Sequence, residues 1–274
     1  MILDAEQKGL ITPGVTTLIE PSSGNTGIAL AFVGRRRGYK VVVVMADTYS
    51  IERRMILRAL GAEVVITDTM KGLPNLLAKC NDLLASIPNS FMLGQFYNPQ
   101  NPLSHFKTTG PEIWTATEGK IDTFVKVVGV EPAESPVMQG GNPGPHEVQG
   151  TGPGMIPDTT DVSVMDELMS VTDEEALTMA RRLGFEEGLL VGVSSGSALA
   201  GALKVAKKPE NAGKINRSIT PSAGELYLST ILFKDIKKEM ENLKISDSAL
   251  FSYPPQEKEK VEDVTDEVRK LSLE

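Results

Sequence analysis

The stretch Thr16-Thr17-Leu18-Ile19-Glu20-Pro21-Ser22-Ser23-Gly24-Asn25-Thr26-Gly27-Ile28-Ala29-Leu30 decides the fold. An apolar, β-branched run over residues 16–20 gives way to a turn of small polar residues, and the turn opens into a helical run over 28–37. Gly38 is placed to end that helix in the left-handed conformation, which a residue without a Cβ adopts freely. The rhythm then repeats. Residues 39–46 read as strand, 50–60 as helix with Gly61 as its stop, 63–67 as strand, 73–86 as helix and 91–96 as strand. Strands that are apolar throughout and alternate with helices predict a parallel sheet covered on both faces.

After the fourth strand the rhythm changes. Residues 103–118 read as one helix and 121–130 as an apolar strand, and 132–161 form a long loop rich in Gly and Pro. Loops of that length in compact domains usually carry function or move. Residues 172–183 read as a helix, with Thr172 and Glu175 spaced as a capping box. A Gly/Ser turn over 188–196 leads into a helix over 197–208, and 225–243 reads as a further helix. Beyond 243 the composition shifts: residues 257–274 hold seven acids and four bases. This reads as a solvated tail, yet Val261, Val264, Val268 and Leu271 fall on the 3-4 stripe of a short amphipathic helix.

Composition narrows the function classes. The chain has 274 residues, with Lys+Arg 28 against Asp+Glu 36 and a formal charge of −8. An acidic chain with no basic block is a poor partner for nucleic acid. One cysteine, Cys80, excludes an intrachain disulfide framework and suits a reducing compartment. Two histidines, His105 and His146, leave little material for a zinc site, so no metal is expected. The longest apolar run, residues 41–46, is too short to span a bilayer. Residues 1–10 carry acids and lack an apolar centre, unlike a signal or transit peptide, so a cytoplasmic protein without membrane contact is expected.

Three segments could carry chemistry. Ser22-Ser23-Gly24-Asn25-Thr26-Gly27 sits between strand and helix, where backbone N–H groups and hydroxyls form an anion site for a carboxylate or phosphate; the alternative is a plain capped βα turn. Gln95-Phe96-Tyr97-Asn98-Pro99-Gln100-Asn101-Pro102 follows a strand end, where open α/β sheets bind ligands; the alternative is a rigid connector. His105, just beyond it, reads as a capping or packing group. Gly192-Val193-Ser194-Ser195-Gly196 displays hydroxyls at a strand-to-helix turn but lacks the Gly-x-Ser-x-Gly spacing of a hydrolase elbow, and two histidines make a Ser-His-Asp triad a poor reading. Gly150-Thr151-Gly152-Pro153-Gly154 has no strand–helix context and is discounted as a nucleotide fingerprint.

Taken together, these segments resemble plant-type cysteine synthase, also called O-acetylserine sulfhydrylase, one of the fold-type II pyridoxal-phosphate enzymes. The resemblance runs from Met1 to about Leu243. It is carried by Lys8-Gly9-Leu10-Ile11-Thr12-Pro13-Gly14, Glu20-Pro21-Ser22-Ser23-Gly24-Asn25-Thr26-Gly27, Thr109-Gly110-Pro111-Glu112-Ile113-Trp114 and Gly129-Val130-Glu131-Pro132. Further on it is carried by Glu187-Gly188-Leu189-Leu190-Val191-Gly192, Lys208-Pro209-Glu210-Asn211-Ala212-Gly213-Lys214 and Tyr227-Leu228-Ser229-Thr230. It implies two open, mainly parallel three-layer α/β domains, the second one incomplete. Their expected spans are 1–96 and 97–243, followed by a charged tail over 244–274. It implies pyridoxal 5'-phosphate as cofactor, with Asn25 at the 3-hydroxyl oxygen and Ser194 at the pyridine nitrogen. It also implies Ser22, Ser23, Thr26 and Gln95 as the grip on the carboxylate of an O-acetylserine-like amino acid. His146 is placed like the histidine of a loop at the active-site mouth.

The departures from the family are as specific. The family's Schiff-base lysine lies in a Ser-x-Lys-Asp-Arg run upstream of the segment that begins here at Met1, and no equivalent run occurs in the 274 residues. The Gly-rich phosphate turn and the helix after it have no counterpart, because Phe124-Val125 passes through Lys126 into Val127-Val128. Asn142 and Glu147 stand where the family has lysines, and Ala223 and Leu226 stand where it has Phe and Arg. The segment after Leu243 has no family counterpart.

An N-terminally truncated relative with an internal deletion, and no catalytic residue of its own, is therefore expected. The family reaction is β-replacement of the acetoxy group of O-acetylserine by sulfide to give cysteine, and a chain so changed is expected to be defective in it. The alternative is a non-catalytic binding or regulatory subunit, or a mis-predicted gene product. Expected partners are a second copy, intact family subunits or serine acetyltransferase. Parallel neighbours need a crossover of about a dozen residues, so residues 121–130 are expected to form a single extended strand, or a strand with one segment pulled out of register, and to leave one strand place of the larger sheet empty.

Overall fold

A computed structural model describes residues 1–22, 24–119, 128–214 and 218–243. The N-terminal half runs α1 (Ile2–Gln7), β1 (Thr17–Pro21), α2 (Asn25–Arg36), β2 (Lys40–Ala46), α3 (Ile51–Ala59), β3 (Glu63–Thr67), α4 (Gly72–Ser86) and β4 (Ser90–Phe91). The four strands form one sheet in the order β3-β2-β1-β4. All are parallel, with Ile19 opposite Val42 and Val43 opposite Val64.

Alternation along the strands feeds two cores. Leu18, Val41, Val43 and Met45 join Leu30, Ala31 and Leu57 of α2 and α3 on one face. Ile19, Val42 and Val44 join Leu76 and Cys80 of α4 on the other. Every residue of β1 is buried, as a central strand covered on both faces must be. Gly38 and Gly61 end their helices at φ +85° and +82°, as their positions predict. Gly34 lets α2 settle on the sheet, since a Cβ there would lie 2.6 Å from Val41 Cγ2.

The second half runs α5 (Gln100–Lys107), α6 (Thr109–Ala116), β5 (Val128–Pro132), β6 (Glu167–Val171), α7 (Asp173–Glu187), α8 (Val193–Ala206) and α9 (Lys234–Glu241). Among the described residues its sheet has two strands, β5 and β6, parallel, with Val130 opposite Met169. Its core gathers Val171, Leu177, Ala180, Leu183 and Ala200 with Tyr227 and Leu232. α7 begins with the predicted capping box, in which Thr172 Oγ1 accepts the Glu175 N–H and the Glu175 carboxylate accepts the Thr172 N–H. α8 lies so close on α7 that a Cβ at Gly196 would stand 2.1 Å from the Ala176 carbonyl oxygen.

Five sequence readings are corrected. The strand expected over 91–96 is only Ser90–Phe91. The chain turns at Gly94, φ +73°, so that the Gly94 and Gln95 N–H groups reach Glu20. The single helix over 103–118 is two, broken at Thr108. Pro111 has no N–H to give the carbonyl four residues back, which breaks the ladder there. The helix expected from 197 starts at Val193, which puts Ser194, Ser195 and Gly196 in its first turn. The helix expected over 225–243 is two 3-10 turns, Gly224–Tyr227 and Ile231–Phe233, followed by α9. Tertiary contacts take the helix's hydrogen bonds: Arg181 binds the Ile231 and Leu232 carbonyls, and Ser229 binds Glu52. Finally, β6 was not identified in the sequence. Of the strand expected over 121–130, β5 takes up Val128–Val130; residues 120–127 lie outside the described ones.

Candidate functional site

The site forms where the N-termini of α2 and α8 approach each other. β1 delivers the chain into the turn before α2, and Ser22 shapes that turn: its Oγ accepts the Gly27 N–H at 2.8 Å and the Gly24 N–H at 3.5 Å. Ser22 is buried, and Gly27 lies so near it that a Cβ would be 3.2 Å from its Oγ. Its hydroxyl therefore does the work of a capped βα turn. Ser23 lies outside the described residues. Asn25 and Thr26 open α2, and a helix start presents backbone N–H groups that have no partner within the helix. Gln95 is drawn to the same turn, its side-chain Nε2 donating to the Pro21 carbonyl at 2.6 Å. Ser22, Asn25, Thr26 and Gln95 are thus brought together.

Glu20 is the reason Gln95 arrives there. The Glu20 side chain is fully buried, and its carboxylate accepts the Gly94 N–H at 2.9 Å and the Gln95 N–H at 2.8 Å. Burial raises its pKa above the usual carboxylate range, opposed by the N–H groups of Gln95, Gly94 and Leu93. Burial, with the Glu20 charge nearby, also pushes the Cys80 thiol up to about 12, so this cysteine is held protonated. Sequence reasoning missed Glu20. An acid inside an otherwise apolar strand is the signal that marks it.

Ser194 is buried in the first turn of α8, and its Oγ lies 3.5 Å from Ser222 Oγ. Asn25 Nδ2 donates to the Pro221 carbonyl at 2.7 Å and lies 3.5 Å from the same Ser222 hydroxyl. Ser222 is fixed by its backbone: its carbonyl accepts the Gly192 N–H at 2.9 Å and the Ser195 hydroxyl at 3.3 Å. Sequence reasoning missed Ser222; the Pro221-Ser222-Ala223-Gly224 run is a turn signal, but nothing in it points across the molecule. His146, placed at the mouth by resemblance, faces the Gly152 carbonyl through Nε2 at 2.9 Å, while its buried Nδ1 has no partner among the described residues. His105 is exposed and its Nδ1 lies 3.0 Å from Thr109 Oγ1, a local contact between α5 and α6.

α3 ties the two halves together. Ser50 donates to the Leu226 carbonyl at 2.6 Å. Arg53, buried, lies over the Tyr227 ring at 4.4 Å and donates to Gln149 Oε1 at 2.7 Å. A desolvated guanidinium on an aromatic face is a strong cross-link between elements.

The family described as pyridoxal-phosphate dependent enzyme matches residues 1–125 and 123–217. The chain is 45% identical over 273 residues to cysteine synthase A of Salmonella typhi, covering 88% of this chain and 84% of that protein. It is 42% identical over 269 residues to cysteine synthase 3 of Caenorhabditis elegans, covering 90% of this chain and 80% of that one. A solved cysteine synthase from Entamoeba histolytica superposes with a TM-score of 0.79 at 36% identity, over 90% of this chain and 77% of the other. O-ureido-L-serine synthase superposes with the same TM-score and identity, over 86% and 81%.

The cofactor of that family can be tested against the geometry. A pyridine ring held by Asn25 on one side and Ser194 on another needs the space between them, and here one hydroxyl, Ser222, contacts both. The Asn25 amide is turned to a backbone carbonyl, and among the described residues no lysine hydrogen-bonds to Asn25, Ser194 or Ser222. As arranged, the Ser222 hydroxyl lies 3.5 Å from both Asn25 Nδ2 and Ser194 Oγ. The parallel α/β fold, the matched family and the shared sequence nevertheless agree, and this chain belongs to the cysteine synthase family of fold-type II pyridoxal-phosphate enzymes.

Proposed function

We propose that this chain keeps the amino-acid-carboxylate grip of a cysteine synthase and is defective in the reaction that grip serves. The grip is the start of α2 with Ser22, Ser23 and Thr26, and Gln95 beside it. The reaction is β-replacement on O-acetylserine by sulfide to give cysteine, with pyridoxal phosphate as the family's cofactor. The observation that carries the reading is the contact of Asn25 and Ser194 with one hydroxyl, Ser222, where the cofactor's ring would lie. The test is to incubate the protein with pyridoxal phosphate, reduce with borohydride and map the peptides. No single lysine is expected to carry stoichiometric label. Stoichiometric pyridoxyl label on one lysine overturns the reading.

Calorimetry tests the grip itself. O-acetylserine should bind at millimolar strength at best, on the order of −4 kcal/mol. Submicromolar binding that survives Asn25→Ala and Gln95→Ala overturns the carboxylate assignment.

A second reading, a binding subunit that pairs with another copy or with intact family subunits in the cytoplasm, is favoured by α5 and α6. Neither helix has a buried residue, and Phe106 and Trp114 are exposed on them. Sedimentation of the chain alone and mixed with an intact cysteine synthase should show a heavier species if these helices pair. Serine acetyltransferase is the remaining partner of this reading. Asn142 and Glu147 should weaken contact with its acidic tail, and a tail peptide that binds as tightly, and with the same salt dependence, as to an intact family enzyme contradicts that.

A further inference from the structure

Arg53, in the first turn of α3, is buried between two tyrosines, its guanidinium 4.4 Å from the centre of the Tyr227 ring and 5.2 Å from that of Tyr49. It donates to Gln149 Oε1, and the Tyr227 hydroxyl donates to the Gln149 carbonyl at 3.4 Å. Among the described residues its Nε has no partner. A buried charge with an unmet donor is a costly way to fill space, and a well-packed apolar side chain would fill it at lower cost. What a guanidinium adds is direction, because its rigid planar fork stacks on a ring and holds an amide at a fixed angle.

Tyr227 passes that direction to the site. Its ring lies against Gly192, the residue that caps α8, so closely that a Cβ there would stand 2.2 Å from Tyr227 Cε2 and 2.9 Å from Ser222 Cβ. A residue without a Cβ lets the ring and the Pro221-Ser222 turn both rest on the start of α8. Two backbone bonds fasten the contact: the Gly192 N–H donates to the Ser222 carbonyl at 2.9 Å, and the Gly224 N–H to the Leu190 carbonyl at 3.0 Å. At the head of the segment the Pro221 carbonyl accepts Asn25 Nδ2, and near its foot the Leu226 carbonyl accepts the Ser50 hydroxyl. Residues 221–227 thus form a strap that runs from Asn25, past Ser194, to Arg53.

We propose that Arg53 is a positioning residue of the candidate site: by clamping Tyr227 it sets Ser222 and the start of α8 against Asn25. Among the described residues Arg53 hydrogen-bonds to none of Ser22, Asn25, Thr26, Gln95 and Ser194, and it acts on them through the strap. The strap bonds to both helix starts, so the hold on Tyr227 governs how firmly they are kept together. Gln149 stands three residues beyond His146, which brings the long Gly/Pro-rich loop under the same clamp. The proposal takes its site from the carboxylate-grip reading above and adds the group that orders it.

The test compares the full ¹⁵N-labelled chain with Arg53→Met and Arg53→Lys by nuclear magnetic resonance. Three signals are read: the Asn25 side-chain amide, which reports its bond to Pro221; hydrogen exchange at the Gly192 and Gly224 amides, which report the strap; and exchange at Val43 of β2 as the control. In Arg53→Met, exchange at Gly192 and Gly224 should rise about tenfold and the Asn25 amide signal should move towards that of a solvated amide, with Val43 unchanged. Arg53→Lys keeps a cation over the Tyr227 ring and should restore part of both effects. Unchanged strap signals, exchange that rises equally at Val43, or a lysine variant that restores nothing overturns the proposal. Should Arg53→Met not fold, Gln149→Ala, which removes only the acceptor that aims the guanidinium, should shift the same signals in the same direction by a smaller amount, and no shift overturns the proposal. None of these signals needs a ligand, so a failed clamp is told apart from a failed grip, which calorimetry with O-acetylserine reads.

Discussion

Two strands in this chain end in the same dipeptide, and their carboxylates are used in the same way at different range. β1 ends Ile19-Glu20-Pro21 and β5 ends Val130-Glu131-Pro132. Both glutamates are buried, and each accepts two successive backbone N–H groups of a loop. For Glu20 those groups belong to Gly94 and Gln95, which arrive from the far edge of the sheet after β4. For Glu131 they belong to Met138 and Gln139, a few residues along the same loop, and the Gln139 side chain adds a third bond at 3.0 Å. One carboxylate closes a long-range contact and carries a site residue into place. The other shapes a local turn. The difference shows that a strand-end acid acquires a functional consequence from what the fold brings to it.

Substitution should separate the two. Glu20→Ala leaves two buried N–H groups without an acceptor and releases the Gln95 loop, at a cost of about 3 kcal/mol in urea unfolding. Glu131→Ala should cost less, about 1.5 kcal/mol, because a local loop can turn its N–H groups to water. Equal losses would mean that range does not matter here.

A pH series sharpens the contrast. Burial raises the Glu20 pKa in the folded protein, so the folded state holds a proton at pH values where the unfolded chain has released it. Its contribution is complete below about pH 4.3, the unfolded value, and is lost as pH rises through the raised folded value. Glu20→Gln removes this slope. The stability of the natural chain minus that of the variant should fall as pH rises from about 4 towards 7. A difference that stays flat or grows over that range contradicts the assignment.

The smallest effect is expected at the exposed end of the first half. Glu6 accepts from Arg37 and from Tyr39, whose hydroxyl donates at 2.8 Å, and the Arg37 bond, with help from Tyr39, lowers its pKa. Its contribution is present above the ordinary carboxylate range and is lost as pH falls through the lowered value. Glu6→Gln should lower the melting temperature slightly, less so at high salt. A drop as large as that of Glu131→Ala would show that this exposed cluster outweighs a buried turn.

Most of the first half was legible because its signals are local. Apolar β-branched runs and left-handed glycines at 38 and 61 each depend on a few neighbouring residues, as does the 172/175 capping box in the second half. The end of β4 was not legible, because Gly94 turns the chain to satisfy a carboxylate many residues earlier in the sequence. The 225–243 region was misread for the same kind of reason: its periodicity suits a helix, but Arg181 and Glu52 claim its carbonyls and hydroxyls from elsewhere in the fold. The candidate site divides in the same way. Ser22, Asn25, Thr26, Gln95 and Ser194 were found as motifs, whereas Glu20's anchoring role and Ser222 emerge only once distant segments meet.

The sequence by itself determined the alternation of strand and helix and the parallel sheet, since these follow from hydrophobic period and turn chemistry along a few adjacent positions, and its motifs carried the resemblance to the family. Only the tertiary structure decided that Glu20 holds the Gln95 loop, that Asn25 and Ser194 meet on Ser222, and that Arg53 lies over Tyr227. Each of these is a contact between groups far apart in the chain, fixed by how the buried surfaces pack and by the need of buried polar atoms for partners, and none is written in any local pattern.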